Sequence, residues 1–176
     1  MAKTTRFYVG GCRSGKSRLA EGWVASSASS PTYIATLQAG GDAEMEERIR
    51  MHRQSRGQGW HLVEEPLEVA EVLTANPHAS DLILIDCLTL WLTNLLMARR
   101  TNEEVEAQVA KLCLAIRQSE VSLVLVANEV GLGIVPESGL ARRFRDLAGW
   151  TNQQVAMVCD EVFFVAAGLP LTLKRP

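Results

Sequence analysis

The octet Gly10-Gly11-Cys12-Arg13-Ser14-Gly15-Lys16-Ser17 limits what this chain can fold into more than any other stretch of it. It fills every fixed position of the pattern G-x-x-x-x-G-K-[ST]. Arg6–Val9 in front of it reads as a short strand, and Ser17–Ala28 behind it as a helix. In that setting each residue type has a physical purpose. Glycines let consecutive backbone N–H groups curl into a nest around an anion. The helix presents the positive end of its dipole to the same anion. Lys16 brings a point charge suited to β- and γ-phosphates, and the Ser17 hydroxyl suits the shell of a Mg²⁺ ion. A strand that hands the chain to a crossover helix also asks for parallel neighbours.

The remaining pattern meets that demand. Thr32–Thr36, Trp60–Val63, Leu82–Ile85, Val121–Ala127 and Glu161–Ala167 read as strands, with Leu171–Lys174 pairing near the last. Helices are expected from Ala43 to about Arg56, over Pro66–Ala75 and Leu88–Arg99, from Thr101 onward, and over Gly139–Cys159. Asp42 is a good N-cap with Glu44, Glu46 and Glu47 behind it, and Thr101 with Glu104 has the spacing of a capping box. Unbroken apolar runs such as Leu82–Ile85 fit strands covered on both faces. The expected fold is α/β: a single doubly wound, mostly parallel sheet with helices on both faces, of the P-loop NTPase type. One domain spanning 1–176 is expected, with no repeat, linker or low-complexity tract.

At 176 residues the chain is long enough to fold around one core without staples. Its net charge of −2 gives no overall basic field for nucleic acid or anionic lipid, so neither is expected as a partner. The longest apolar stretch, Leu82–Met97, is broken by Asp86, Thr89, Thr93 and Asn94, so no membrane span is expected. The amino-terminal apolar run is too short for a signal-peptide core. Cys12, Cys87, Cys113 and Cys159 form no C-x-x-C pair and read as reduced, buried thiols of a cytoplasmic protein.

Two further residues carry candidate chemistry. Asp86 closes an apolar strand, a position suited to a carboxylate of a magnesium shell and also to a turn. His52 shares a helix face with Arg48 and Arg56. Two guanidinium groups beside an imidazole favour its neutral, nucleophilic form. The same arginines suit a triphosphate. Spacing alone leaves open a solvated basic face with an incidental histidine. His61, beside Trp60, and His78, after Pro77, read as bystanders.

Longer blocks add to this. They include Tyr33-Ile34-Ala35-Thr36, Met45-x-x-Arg48-Ile49-x-x-His52-x-x-x-Arg56, Trp60, Glu64 and Asp86-Cys87-Leu88-Thr89. Further on stand Asn94-Leu95-Leu96, Asn128-Glu129-Val130-Gly131, Ile134-Val135-Pro136-Glu137, Arg142-x-Phe144-Arg145-Asp146-x-x-Gly149 and Asn152. With these the chain resembles the bifunctional adenosylcobinamide kinase/adenosylcobinamide-phosphate guanylyltransferase family of cobalamin biosynthesis.

The resemblance implies phosphorylation of the aminopropanol hydroxyl of adenosylcobinamide. GMP then passes from GTP to the product, adenosylcobinamide phosphate, through a GMP–histidine intermediate. It implies GTP and ATP as substrates with Mg²⁺, and a homotrimer. It places the nucleophile at His52 and nucleotide contacts at Thr36, Leu37, Gln38, Arg53, Gln54, Ser55, Arg56, Glu64 and Asp86. Cys12 is an unusual spacer in the phosphate loop, and Gly40-Gly41 leave the resting position of the His52 helix open. Two other readings stand beside this one: a small-molecule kinase without transferase activity, and a nucleotide-dependent regulatory or binding subunit. The residues leave open the kinase's general base, its preferred phosphoryl donor and its corrinoid pocket. The Asn128–Glu137 loop, at a strand's carboxyl end, is a reasonable place for that pocket.

Overall fold

The computed structural model describes residues 3–37, 59–76 and 78–176. Strand β1 (Thr5–Gly10) leads into helix α1 (Lys16–Ser27), followed by β2 (Pro31–Ala35), β3 (His61–Glu64) and α2 (Val69–Ala75). Then come β4 (Leu82–Asp86), α3 (Leu88–Met97), α4 (Asn102–Gln118), β5 (Ser122–Asn128), α5 (Gly139–Val158), β6 (Glu161–Ala166) and β7 (Leu169–Lys174). The strands form one sheet in the order β3-β2-β4-β5-β1-β6-β7. All neighbours are parallel except β6 and β7, which form an antiparallel hairpin.

The central strands are apolar on both sides because both faces of the sheet are covered. Their alternation separates the two halves of the core. Phe7, Val9, Ile83, Ile85, Leu123 and Leu125 meet α2, α3, α4 and α5 on one face. Tyr8, Leu82, Leu84, Val124 and Val126 meet Ala20 and Val24 of α1 on the other. Each fully buried side chain of this size contributes about 1.5–3 kcal/mol, so the strands at the centre of the sheet are fixed in register.

Several boundaries differ from the sequence reading, each for a local reason. The helix expected from Pro66 begins at Val69. The Glu65 carboxylate accepts from the backbone N–H groups of Leu67 and Glu68, both at 2.8 Å, and holds the chain in a turn there. Helix α3 stops at Met97, and Arg99 then takes a positive φ of 58°. The capping box on α4 is formed: Glu104 N–H donates to Thr101 Oγ1 and Thr101 N–H to the Glu104 carboxylate. Gly149 leaves α5 unbroken over its 20 residues. The last strand starts at Leu169, two residues before the expected Leu171. Its turn at Ala167 and Gly168 (φ 51° and 80°) has two positive φ angles, as a tight hairpin needs. The expected helix from Ala43 to about Arg56 lies outside the described residues.

Candidate nucleotide site

The phosphate loop leaves the carboxyl end of β1 and enters α1. Gly10 must lack a side chain, because a Cβ there would overlap the Val165 carbonyl oxygen of β6. Arg13 and Gly15 take positive φ (55° and 96°), which curls the loop. Gly15 is the N-cap of α1 and supplies no side-chain cap, so the first-turn N–H groups are free of such a partner. The Ser14 hydroxyl is buried and, among the described residues, meets no hydrogen-bond partner. The loop is thus a concave arrangement of donors awaiting acceptors, as an anion site requires. Lys16 is buried, and its ammonium donates to the Gly11 carbonyl at 3.1 Å, folding the charge over the loop.

The hairpin between β6 and β7 braces this loop. Gly168 N–H donates to the Ser14 carbonyl at 2.7 Å. A Cβ on Gly15 would stand 3.1 Å from the Gly168 α-carbon, so the two backbones touch. The Ser14–Gly168 hydrogen bond joins residues 154 positions apart and is invisible to local pattern. The turn glycine after a strong terminal strand is its only trace in the sequence.

The other candidate residues stand along the same edge. Asp86 ends β4, which is separated from β1 by β5 alone. Two inter-strand steps place it about 10 Å from the end of β1. Helix α1 packs across β1, β5 and β4, so Ser17 in its first turn lies over the interval between Gly10 and Asp86. The Tyr33 hydroxyl donates to the Asp86 carboxylate at 3.2 Å. Thr36 Oγ1 donates to the Cys87 carbonyl at 2.8 Å and accepts from Cys87 N–H at 3.0 Å, so its buried hydroxyl clamps the chain next to Asp86. Glu64 is exposed at the end of β3, beside β2, and Leu37 follows Thr36. Gln38, His52, Arg53, Gln54, Ser55 and Arg56 lie outside the described residues.

The cysteines correct the sequence reading in part. Cys87 and Cys159 are buried, Cys113 is half-buried, and Cys12 is exposed on the phosphate loop. Burial, reinforced by the Asp86 charge, pushes the Cys87 thiol up to about 11, and burial pushes Cys159 up to about 12. His61 and His78 are not isolated: their rings stack with centroids 4.6 Å apart, and His61 Nε2 lies 3.1 Å from Ser30 Oγ. Ser30 precedes β2, at the opposite edge of the sheet from the phosphate loop.

Residues 7–173 match the family model described as cobinamide kinase / cobinamide phosphate guanyltransferase. The chain belongs to this family. Relatives of this guanyltransferase family include the bifunctional adenosylcobalamin biosynthesis protein CobP of Pseudomonas aeruginosa, 48% identical over 169 residues, covering 94% of this chain and 95% of the relative. The bifunctional adenosylcobalamin biosynthesis protein CobU of Escherichia coli is 40% identical over 178 residues, covering 94% and 97%. Among solved structures, the ATPase EscN of the enteropathogenic E. coli type III secretion system superimposes with a TM-score of 0.61 at 13% identity. That match covers 94% of this chain and 43% of EscN. The RadB recombinase superimposes at 0.50 with 14% identity over 92% and 73%. These two likenesses establish the shared fold alone. Among the described residues of this cobinamide kinase family member, no helix is long and apolar enough to cross a membrane.

Proposed function

We propose that the chain phosphorylates adenosylcobinamide and then transfers GMP from GTP to adenosylcobinamide phosphate, in the cytoplasm and as a homotrimer. The supporting observation is a braced phosphate loop, Gly10–Ser17, at the sheet edge that also carries Asp86 and Glu64, in a chain of this family. In the first reaction the substrate hydroxyl oxygen bonds to the γ-phosphorus of ATP or GTP. The γ-phosphorus–oxygen bridge breaks, the nucleoside diphosphate leaves, and the hydroxyl proton passes to water. In the second, a His52 ring nitrogen bonds to the α-phosphorus of GTP and pyrophosphate leaves. A phosphate oxygen of adenosylcobinamide phosphate then displaces the imidazole. A grip on β and γ serves both steps: the held pair includes the transferred group in one and is the leaving group in the other.

Ser17 and Asp86 offer hard oxygen donors, the set that suits Mg²⁺ when phosphate oxygens complete the shell. The ion would neutralise phosphate charge there. Thr36, Leu37, Gln38, Arg53, Gln54, Ser55, Arg56 and Glu64 are assigned to nucleotide contact.

The test is incubation with GTP labelled at the α-phosphate, denaturation and mapping of the adduct. Label is expected on His52 as a phosphoramidate, stable in base and labile in acid. His52→Ala should lose the label and the transferase activity yet keep substantial kinase activity, because phosphoryl transfer to a hydroxyl needs positioning and charge, not a nitrogen nucleophile. Full labelling of His52→Ala, or an adduct on His61 or His78, overturns the mechanism.

A further inference from the structure

The second substrate needs a surface unlike the phosphate loop. Beyond its hydroxyl arm, cobinamide is a broad corrin ring whose rim carries methyl groups and uncharged amides. The carboxyl edge of the sheet carries an apolar region of matching character.

Helix α5 is long for the sheet it covers. Asn152 Nδ2 donates to the Asn128 carbonyl at 3.1 Å, so Asn152 is level with the end of β5. The thirteen helical residues before it continue about 20 Å past that point at 1.5 Å each. Helix α3 lies across the same edge, since Asn94 Nδ2 donates to the carbonyls of Thr36 (2.6 Å) and Pro66 (3.1 Å), just beyond β2 and β3. Where α3 meets the overhanging start of α5 there is a cleft of about 290 Å³. Thr93, Leu96 and Met97 face Leu140, Ala141 and Phe144 across it, and none of its described lining residues is charged.

The loop from β5 to α5 carries more apolar surface toward the start of α5. Leu132 is 82% exposed and Ile134 96%, while Met97 at the cleft is 71% exposed. Arg142 holds the base of this loop by donating to the carbonyls of Pro136 (3.0 Å) and Glu137 (2.6 Å).

The cleft and the phosphate loop are linked through the end of β5. Glu129 N–H donates to the Gly10 carbonyl at 3.0 Å, and Asn128 N–H donates to Thr89 Oγ1 at 2.7 Å. Thr93 stands one helical turn beyond Thr89, about 5–6 Å further along α3. The cleft and the phosphate loop therefore lie on the same edge of the sheet. The absence of lining charge disfavours a second nucleotide there and suits an uncharged rim.

From this shared edge and the uncharged lining we propose that the α3–α5 cleft and the 132–135 loop seat the corrin ring of the acceptor, with its hydroxyl arm directed toward the γ-phosphate. This rests on the function proposed above.

The test uses Met97→Glu and Ile134→Glu, both at well-exposed positions that the fold tolerates. Steady-state kinetics with adenosylcobinamide and GTP varied separately give the two KM values, and guanylylation of His52 with GTP alone reports the nucleotide half-reaction. Placing a carboxylate against an apolar ring is expected to raise the corrinoid KM about tenfold or more. The KM for GTP and the extent of His52 labelling should stay at parental values. An unchanged corrinoid KM in both variants overturns the assignment. So does a loss of corrinoid affinity that follows a fall in oligomer mass by light scattering, which would make this face a contact between copies. Parental protein that labels His52 but leaves adenosylcobinamide unphosphorylated overturns the functional reading itself, and this inference with it.

Discussion

Two loops leave the carboxyl edge of the sheet from adjacent strands, and they are built for opposite purposes. Residues 11–15 follow β1 and residues 129–138 follow β5, joined where Glu129 N–H reaches the Gly10 carbonyl. The first loop is locked from several sides: Gly10 lies against Val165, the Ser14 carbonyl against Gly168 N–H, and the Lys16 ammonium against the Gly11 carbonyl. The second is tied mainly at its ends, by the Glu129 carboxylate to Gly131 N–H and by Arg142 near Pro136, and it holds Leu132 and Ile134 in solvent. Charge recognition works through fixed dipoles that need no reorganisation when the anion arrives. Apolar recognition scales with area and asks less of backbone precision. The contrast teaches that the same edge can bind a triphosphate by geometry and an apolar ring by surface.

Removing the charge from the locked loop should break the contrast most severely. Lys16→Ala deletes charge-assisted contacts of about 1.5–3 kcal/mol to the phosphates, a roughly 10- to 150-fold loss of nucleotide affinity. Both activities should fall, since both use one grip, while equilibrium binding of adenosylcobinamide stays near parental. Transferase turnover that persists in folded Lys16→Ala protein would place the second reaction on another phosphate site.

A smaller effect tests whether the brace matters. Gly168 sits at φ 80° with its N–H on Ser14. Gly168→Val puts a β-branched side chain where it costs about 1–3 kcal/mol. The nucleotide KM should rise several-fold for both reactions, with a modest drop in Tm. Gly168→Asn tolerates positive φ and keeps the N–H, so it should restore the nucleotide KM. Equal KM values in all three proteins, with only Tm changing, would reduce the hairpin to a structural role.

The two loops also differ in how far the sequence discloses them. The octet 10–17 is legible because its glycines, lysine and serine each answer to a local geometric need. Asp86 is legible as the end of a buried strand. The brace from Gly168 is not, because it pairs positions that meet only once β6 lies beside β1. The displaced start of α2 was hidden for a different reason. Pro66 invites a helix, and the Glu65 side chain outcompetes it by satisfying two backbone N–H groups in a turn. The commitment of the Thr36 hydroxyl to Cys87 likewise depends on β2 pairing with β4, which no single stretch encodes. The Asn128–Glu137 loop is legible as a strand-end place for the corrinoid pocket, whereas the α3–α5 cleft beside it is not, because its two walls meet only in the folded chain.

The smallest expected effect concerns the spacer in the phosphate loop. Cys12 is exposed, and the loop recognises phosphate through backbone N–H groups and Lys16, so the side chain at this position has no assigned contact. Cys12→Ser should change nucleotide affinity by no more than about twofold, within the ±0.5 kcal/mol usual for an exposed substitution. The thiol also gives a clean readout. Because burial holds Cys87 up to about 11 and Cys159 up to about 12, both remain neutral thiols at pH 8 and become thiolate only as the pH climbs toward those values. A small alkylating reagent at pH 8 should therefore modify Cys12 ahead of either, and bound GTP should slow that modification by wrapping the loop around its phosphates. If Cys12→Ser weakened nucleotide binding tenfold, the side chain would belong to the cradle. If GTP left the alkylation rate unchanged, the thiol would lie outside the nucleotide's footprint, and the loop would have to open in a different direction from the one its buried lysine indicates.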